Sequence, residues 1–185
     1  MNMRQNIIPT VQGWMFLPLV AYHSADPAAL FEPLEDHLTE YDFALGQYLT
    51  AGVAACYRGF RLFESHTTKN VVKAWVDFYK KYRTVLNGDI IHVKRPNMQD
   101  LDSFLHVNPG ERVRGLLVVF NPTSEKMMKT LSVPLYYTGL TKTALVSLPN
   151  DDTRFYQLTL SRDYKVNIKV MINPNSLQYF IIKDS

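Results

Sequence analysis

Residues 71–93, VVKAWVDFYKKYRTVLNGDIIHV, contain the point at which the chain changes its architecture. Val71, Val72, Trp75, Phe78, Tyr79, Tyr82, Val85 and Leu86 recur at helical spacing and form one apolar stripe. Lys80, Lys81 and Arg83 fall near the end of that helix, where its dipole favours cations. Asn87-Gly88 stops it, and Thr67 or Thr68 is expected to cap its start. Asp89 to Val93 then opens a run of strands.

Upstream of this helix the pattern is strand, helix, strand. Val11 to Tyr22 is a short apolar run ending at the turn His23-Ser24-Ala25-Asp26-Pro27. Pro33 is expected in the first turn of a helix whose stripe is Leu34, Leu38, Tyr41, Leu45, Tyr48 and Leu49, with Gly52 as its stop. Val53 to Phe63, VAACYRGFRLF, reads as a second buried strand. Strands alternating with helices at short spacing indicate βαβα units on a parallel sheet.

Downstream no helix is expected. Strand candidates are 90–93, 104–107, 113–120, 131–137, 144–148, 155–160, 165–172 and 177–182. They are separated by turn formers such as Asn108-Pro109-Gly110, Asn121-Pro122 and Asn173-Pro174-Asn175. Val166, Ile168, Val170 and Ile172 alternate with Lys165, Asn167 and Lys169, so one face of that strand is buried. Leu116 to Phe120 is apolar on both faces, as a central strand would be. Eight short strands so punctuated predict an antiparallel sandwich. The boundary falls near Gly88, giving residues 1–88 and 89–185.

Composition agrees with a folded chain of ordinary size. Of 185 residues 46% are hydrophobic, and no residue type dominates, which excludes disorder and low-complexity classes. Twenty basic residues against 17 acidic give a formal charge of +3, so no nucleic-acid partner is indicated. One cysteine, Cys56, excludes an internal disulfide. The apolar run Trp14 to Tyr22 is broken by Pro18 and is too short for a membrane span of about 20 residues. It has no basic leader segment, so a soluble chain is expected and no compartment is named.

Sites are sparse. No phosphate loop, nucleophile elbow or zinc motif occurs, and no cofactor or metal is implied. His37 and Glu40 stand three apart and offer half a metal site at most, so an ordinary helix face is the better reading. Cys56 in an apolar strand reads as an inert thiol. Tyr136 and Tyr137, placed on a strand, point to opposite faces, so one ring is exposed; an ordinary surface aromatic is the better reading than a ring that stacks on a sugar. Arg58 and Arg61 lie at the carboxyl end of the second strand, where parallel α/β sheets bind ligands. A pair of salt-bridged arginines fits the same pattern equally well. Asp26 and Glu64 follow the two strands, but nothing marks them as a catalytic pair.

Taken together, Tyr57-Arg58-Gly59, Asn87-Gly88-Asp89-Ile90-Ile91, Gly115 to Pro122 (GLLVVFNP) and Pro134 to Leu140 (PLYYTGL) carry a resemblance. The chain resembles the end of a TIM-barrel glycoside hydrolase of the α-galactosidase-like group, from about residue 10 onward. The resemblance implies a partial TIM barrel, two βα units, followed by an all-β antiparallel sandwich. It also implies that the catalytic carboxylates lie on earlier strands, so no catalytic residue is assigned in this chain. A substrate-side role is carried over for Arg58 alone. The expected role is a C-terminal portion or truncated relative of such a protein, its sandwich buttressing the barrel and touching carbohydrate. A glycosidase subunit completed by another chain and a free-standing interaction module are the alternatives.

Overall fold

The computed structural model describes residues 14–18, 31–52, 54–58 and 61–185, the two short strands through their backbone. The described chain divides into two compact units between Arg83 and Thr84. The first holds strand β1 (Trp14–Pro18), helix α1 (Leu38–Thr50), strand β2 (Ala54–Arg58) and most of helix α2 (His66–Leu86). β1 and β2 pair in parallel, Trp14 opposite Ala54 and Pro18 opposite Arg58. This is the βαβα order expected from the sequence.

The helix boundaries differ from that expectation in two places. α1 begins at Leu38, and Pro33 sits in a bend ahead of it rather than in its first turn. The intervening turn is tied elsewhere, because the Glu35 N–H donates to the Glu64 carboxylate at 2.7 Å. Gly52 at φ 70 closes the segment after α1, a conformation glycine adopts without a Cβ penalty. α2 is capped by Ser65 rather than by Thr67 or Thr68. The Ser65 Oγ accepts the Thr68 N–H at 3.2 Å, and the Thr68 Oγ1 accepts the Ser65 N–H at 3.0 Å. This reciprocal pair satisfies two donors that a helix start leaves over.

The second unit is a sandwich. Strands β3 (Asp89–Lys94), β4 (Asp102–Val107), β5 (Val113–Asn121), β7 (Thr143–Leu148), β8 (Asp151–Thr159) and β10 (Ser176–Lys183) form one antiparallel sheet. Its order is β3-β4-β5-β10-β7-β8. β6 (Met127–Pro134) and β9 (Lys165–Ile172) form a second, two-stranded sheet. Leu117, Val119, Phe180 and Ile182 of the large sheet pack with Val133, Val166, Ile168 and Ile172 of the small one. β9 alternates strictly, with Val166, Ile168, Val170 and Ile172 buried. β5 lies between β4 and β10 and is buried on both faces from Gly115 on, as its unbroken apolar run predicts.

Two polar details hold this unit. Asn121, fully buried at the end of β5, donates from Nδ2 to the carbonyls of Glu125, Ile172 and Asn173 at 2.7, 3.2 and 3.0 Å. It thereby ties the large sheet to the end of β9. Gly88 is required by close approach: a Cβ there would lie 2.2 Å from the Val107 carbonyl oxygen.

One segment expected as strand is not strand. Residues 131–137 were expected to run extended through Tyr137, but β6 ends at Pro134 and Tyr136–Thr138 form a 3-10 turn. Gly139 at φ 74 closes that turn. Among the described residues, no helix is long and apolar enough to cross a membrane.

Candidate functional site

The carboxyl ends of β1 and β2 lie side by side, Pro18 against Arg58. Arg58 is therefore the last residue of its strand, where the sequence placed it, although its side chain lies outside the described residues. Asp26, with His23, Ser24 and Ala25, also lies outside them, as does the Cys56 side chain.

The residues that follow β2 are described, and they are bound to one another. The Arg61 guanidinium donates to Glu32 at 3.0 Å and to Glu64 at 2.6 Å. Its hydrogen bond to Glu32 holds the guanidinium above its ordinary pKa and keeps it charged. Glu64 accepts the Glu35 N–H with its other oxygen, and its side chain is only 11% exposed. Of the two readings open for the arginine pair, Arg61 follows the salt-bridged one. Glu64 is a structural carboxylate that joins the segment before α1 to the segment before α2. Both Glu64 oxygens are engaged, one by Arg61 and one by the Glu35 N–H.

His37 is the N-cap residue of α1 and Glu40 lies in its first turn. Among the described residues, no group of three or more His, Cys, Asp or Glu side chains converges in a way that holds a metal ion.

The acidic residues of the β unit differ in their surroundings. Asp102 lies in β4 opposite Phe120 and is 1% exposed. Asp100 is gripped by Lys94 and by Lys129, the latter at 2.9 Å. Partial burial pushes its carboxyl up. Hydrogen bonds from the two lysines and from the Leu101 N–H outweigh that and bring it down to about 2. Asp151 is held below the usual carboxylate range by hydrogen bonds from the Thr153 hydroxyl and N–H and from Arg154. Asp100 is thus held by lysines of β3 and β6, whereas Asp151 is held by its near neighbours along the chain. Glu111 remains exposed.

Two surface features of the β unit were less visible in the sequence. Tyr136 and Tyr137 are both exposed, because a 3-10 turn does not send successive side chains to opposite faces as a strand does. Tyr164, which the sequence did not single out, packs edge-on against Tyr136 at 5.3 Å. Separately, Gly110, Arg112, Arg114, Leu145, Lys183 and Asp184 line a cavity of about 470 Å³. Arg114 there faces Asp184 at 3.8 Å and donates to the Pro109 carbonyl. The Lys183 ammonium lies 3.6 Å from the Phe155 ring centroid.

Known structures supply the comparison for this arrangement. The chain aligns with the α-amylase of Geobacillus thermoleovorans at TM-score 0.54 and 11% identity, over 80% of its own length and 34% of the enzyme's. It aligns with a family-27 β-L-arabinopyranosidase of Geobacillus stearothermophilus at 0.53 and 10%, over 80% and 30%. An Anoxybacillus α-amylase gives 0.51 and 12%, over 82% and 34%. The fold is similar to that of part of each of these enzymes. At these identities the likeness is one of fold, and the chain spans about a third of the length of the enzymes it matches. No family model and no curated protein matches the sequence. A helix-bearing parallel unit followed by a β-sandwich is the order that the sequence resemblance implied for the C-terminal part of such an enzyme.

Proposed function

We propose that this glycoside hydrolase-like chain is the C-terminal portion, or a truncated relative, of a barrel glycosidase. Its sandwich buttresses a barrel whose other strands come from the same protein or from another chain, and it contacts carbohydrate. The observation that carries this reading is the β1–β2 sheet. Among the described residues it is a parallel sheet of only two strands, whereas parallel sheets ordinarily occur within larger layers covered on both faces. A closed barrel needs eight strands and about 250 residues.

Glycoside cleavage needs two carboxyl groups about 5–9.5 Å apart across the scissile bond, one kept protonated and one ionised. Glu64 is consumed by Arg61 and the Glu35 N–H, which argues against its serving as either. Catalytic carboxylates are therefore expected on strands this chain does not supply, with Arg58 on the substrate side of the β2 end. The test is turnover of aryl α- and β-glycosides by the purified chain beside its Asp26→Ala and Glu64→Ala variants. No turnover above buffer is expected. Turnover that disappears in either variant would show that this chain builds a working site of its own.

A further inference from the structure

The 3-10 turn after β6 presents two tyrosines at the surface, Tyr136 at 61% and Tyr137 at 58% exposure. Their rings stand at 87° with centroids 5.3 Å apart, and Tyr136 meets Tyr164 at 80° and 5.3 Å. Three aromatic rings from two separate turns thus meet at one place on the sandwich.

The backbone beneath them is fixed at every step. The Leu135 N–H donates to the Tyr164 carbonyl at 2.8 Å, joining the two turns. Buried Thr138 donates from Oγ1 to the Leu135 carbonyl at 2.6 Å, and the same oxygen accepts the Leu140 N–H at 3.3 Å. Tyr164 sits at φ 57, a left-handed conformation that bulky side chains rarely adopt. Its N–H donates to the Ser161 carbonyl at 3.0 Å, which holds it there. Its side chain is partly buried and packs against the sandwich core, so the third ring is anchored in the fold where it meets Tyr136.

We propose that Tyr136, Tyr137 and Tyr164 form a corner that binds one pyranose ring of a soluble oligosaccharide. A sugar ring has a face of C–H groups that packs on an aromatic face and a rim of hydroxyls that seeks hydrogen bonds. Tyrosine supplies both, as a rigid ring with little entropy to lose and a hydroxyl that donates and accepts. The near-perpendicular planes determine the shape of the ligand. They offer no continuous flat strip, so the corner suits a single ring and not the flat face of a crystalline polysaccharide. The surroundings are charged: exposed Lys142 follows the turn, and exposed Arg162, Asp163 and Lys165 flank Tyr164. A protein-binding hot spot would instead sit within a patch depleted of charge.

The class of ligand rests on the function proposed above, whereas the geometry of the corner does not. The test is saturation-transfer NMR and calorimetric titration of the full chain with maltotriose, melibiose and arabinose, each used singly. Millimolar binding of at least one is expected. It should weaken at least tenfold in Tyr136→Ala and in Tyr137→Ala, and stay within threefold in Tyr137→Phe, which keeps the ring. Thermal melting of each variant, unchanged within a few degrees, separates lost contact from lost folding. Should Tyr136→Ala unfold, the Tyr137 pair carries the test. Absence of binding by all three sugars, or binding unaffected by the alanine variants, overturns the proposal. Binding that survives both alanine variants but is lost in Arg58→Ala would overturn the corner and uphold carbohydrate contact at the β2 end. Glycosidase turnover, which tests the broader reading, is unaffected by any of these results.

Discussion

The two units of this chain solve the same problem, covering apolar surface, with unequal means. In the β unit each inner strand of the large sheet is hydrogen-bonded on both sides, and the core runs continuously between the two sheets. Leu117, Val119, Ile168 and Ile182 are wholly enclosed there. The helical unit also encloses apolar side chains, Leu34, Tyr41, Leu45 and Phe78 among them, but its described sheet has two strands, and polar bonds add to the cohesion. Arg61 bonds Glu32 and Glu64, the Tyr41 hydroxyl donates to the Leu62 carbonyl at 2.7 Å, and the Trp75 indole N–H donates to Asp42 at 2.7 Å. Exposed ion pairs contribute little net stability, about 0–1 kcal/mol each. The contrast teaches that a sheet's edges, more than its strand sequences, decide whether a segment stands alone.

The severest way to break this comparison is to separate the units. A chain spanning Thr84–Ser185 should unfold in one cooperative thermal transition. One ending at Arg83 should be insoluble or largely unfolded, because β1 and β2 carry edges with no described partner. A soluble first unit with a sharp transition would reverse the ranking.

Point substitutions sharpen it. Phe120→Ala, on a fully buried side chain of β5, should cost about 3–5 kcal/mol in denaturant titration. Trp75→Ala should cost less, about 1–3 kcal/mol, because Trp75 is only partly buried and its indole N–H is engaged by an exposed carboxylate. A Trp75 effect as large as that of Phe120 would mean that the helical unit has a core as tight as the sandwich.

The smallest effect expected is electrostatic. The Asp100 carboxyl is held at about 2 when folded, against an unfolded value near 3.9. Its stabilisation is therefore fully present above about pH 4 and is lost as pH falls through about 2. Asp163, brought down to about 2 by hydrogen bonds from Lys165 and the Ser161 hydroxyl, acts in the same sense. Asp100→Asn should remove about 1 kcal/mol at neutral pH and flatten the acid limb of the stability profile. An unchanged acid limb would show that Lys94 and Lys129 do not grip this carboxyl in solution.

What the sequence determined by itself is whatever depends on near neighbours along the chain. The period of Val72, Phe78, Tyr82 and Leu86 reads as a helix, and the alternation of Val166 to Ile172 reads as a strand with one buried face. The two-sided run Leu116 to Phe120 reads as the middle of a sheet. Each signal comes from backbone geometry, 3.6 or 2 residues per repeat, and needs no knowledge of the partner. Turn formers likewise lie between the strands, although β4, β6 and β8 begin two to four residues earlier than expected. Where the reading failed, a distant residue had decided the outcome. Pro33 lies ahead of α1 in a turn that Glu64 engages. The strand expected from Phe104 begins at Asp102, which is buried opposite Phe120. Tyr136 and Tyr137 left the strand because the Leu135 N–H found the Tyr164 carbonyl, which also brought a third tyrosine to them. Hydrogen bonds and packing between residues far apart in sequence set burial and the grip of Lys129 on Asp100, and only the tertiary structure brings those residues together.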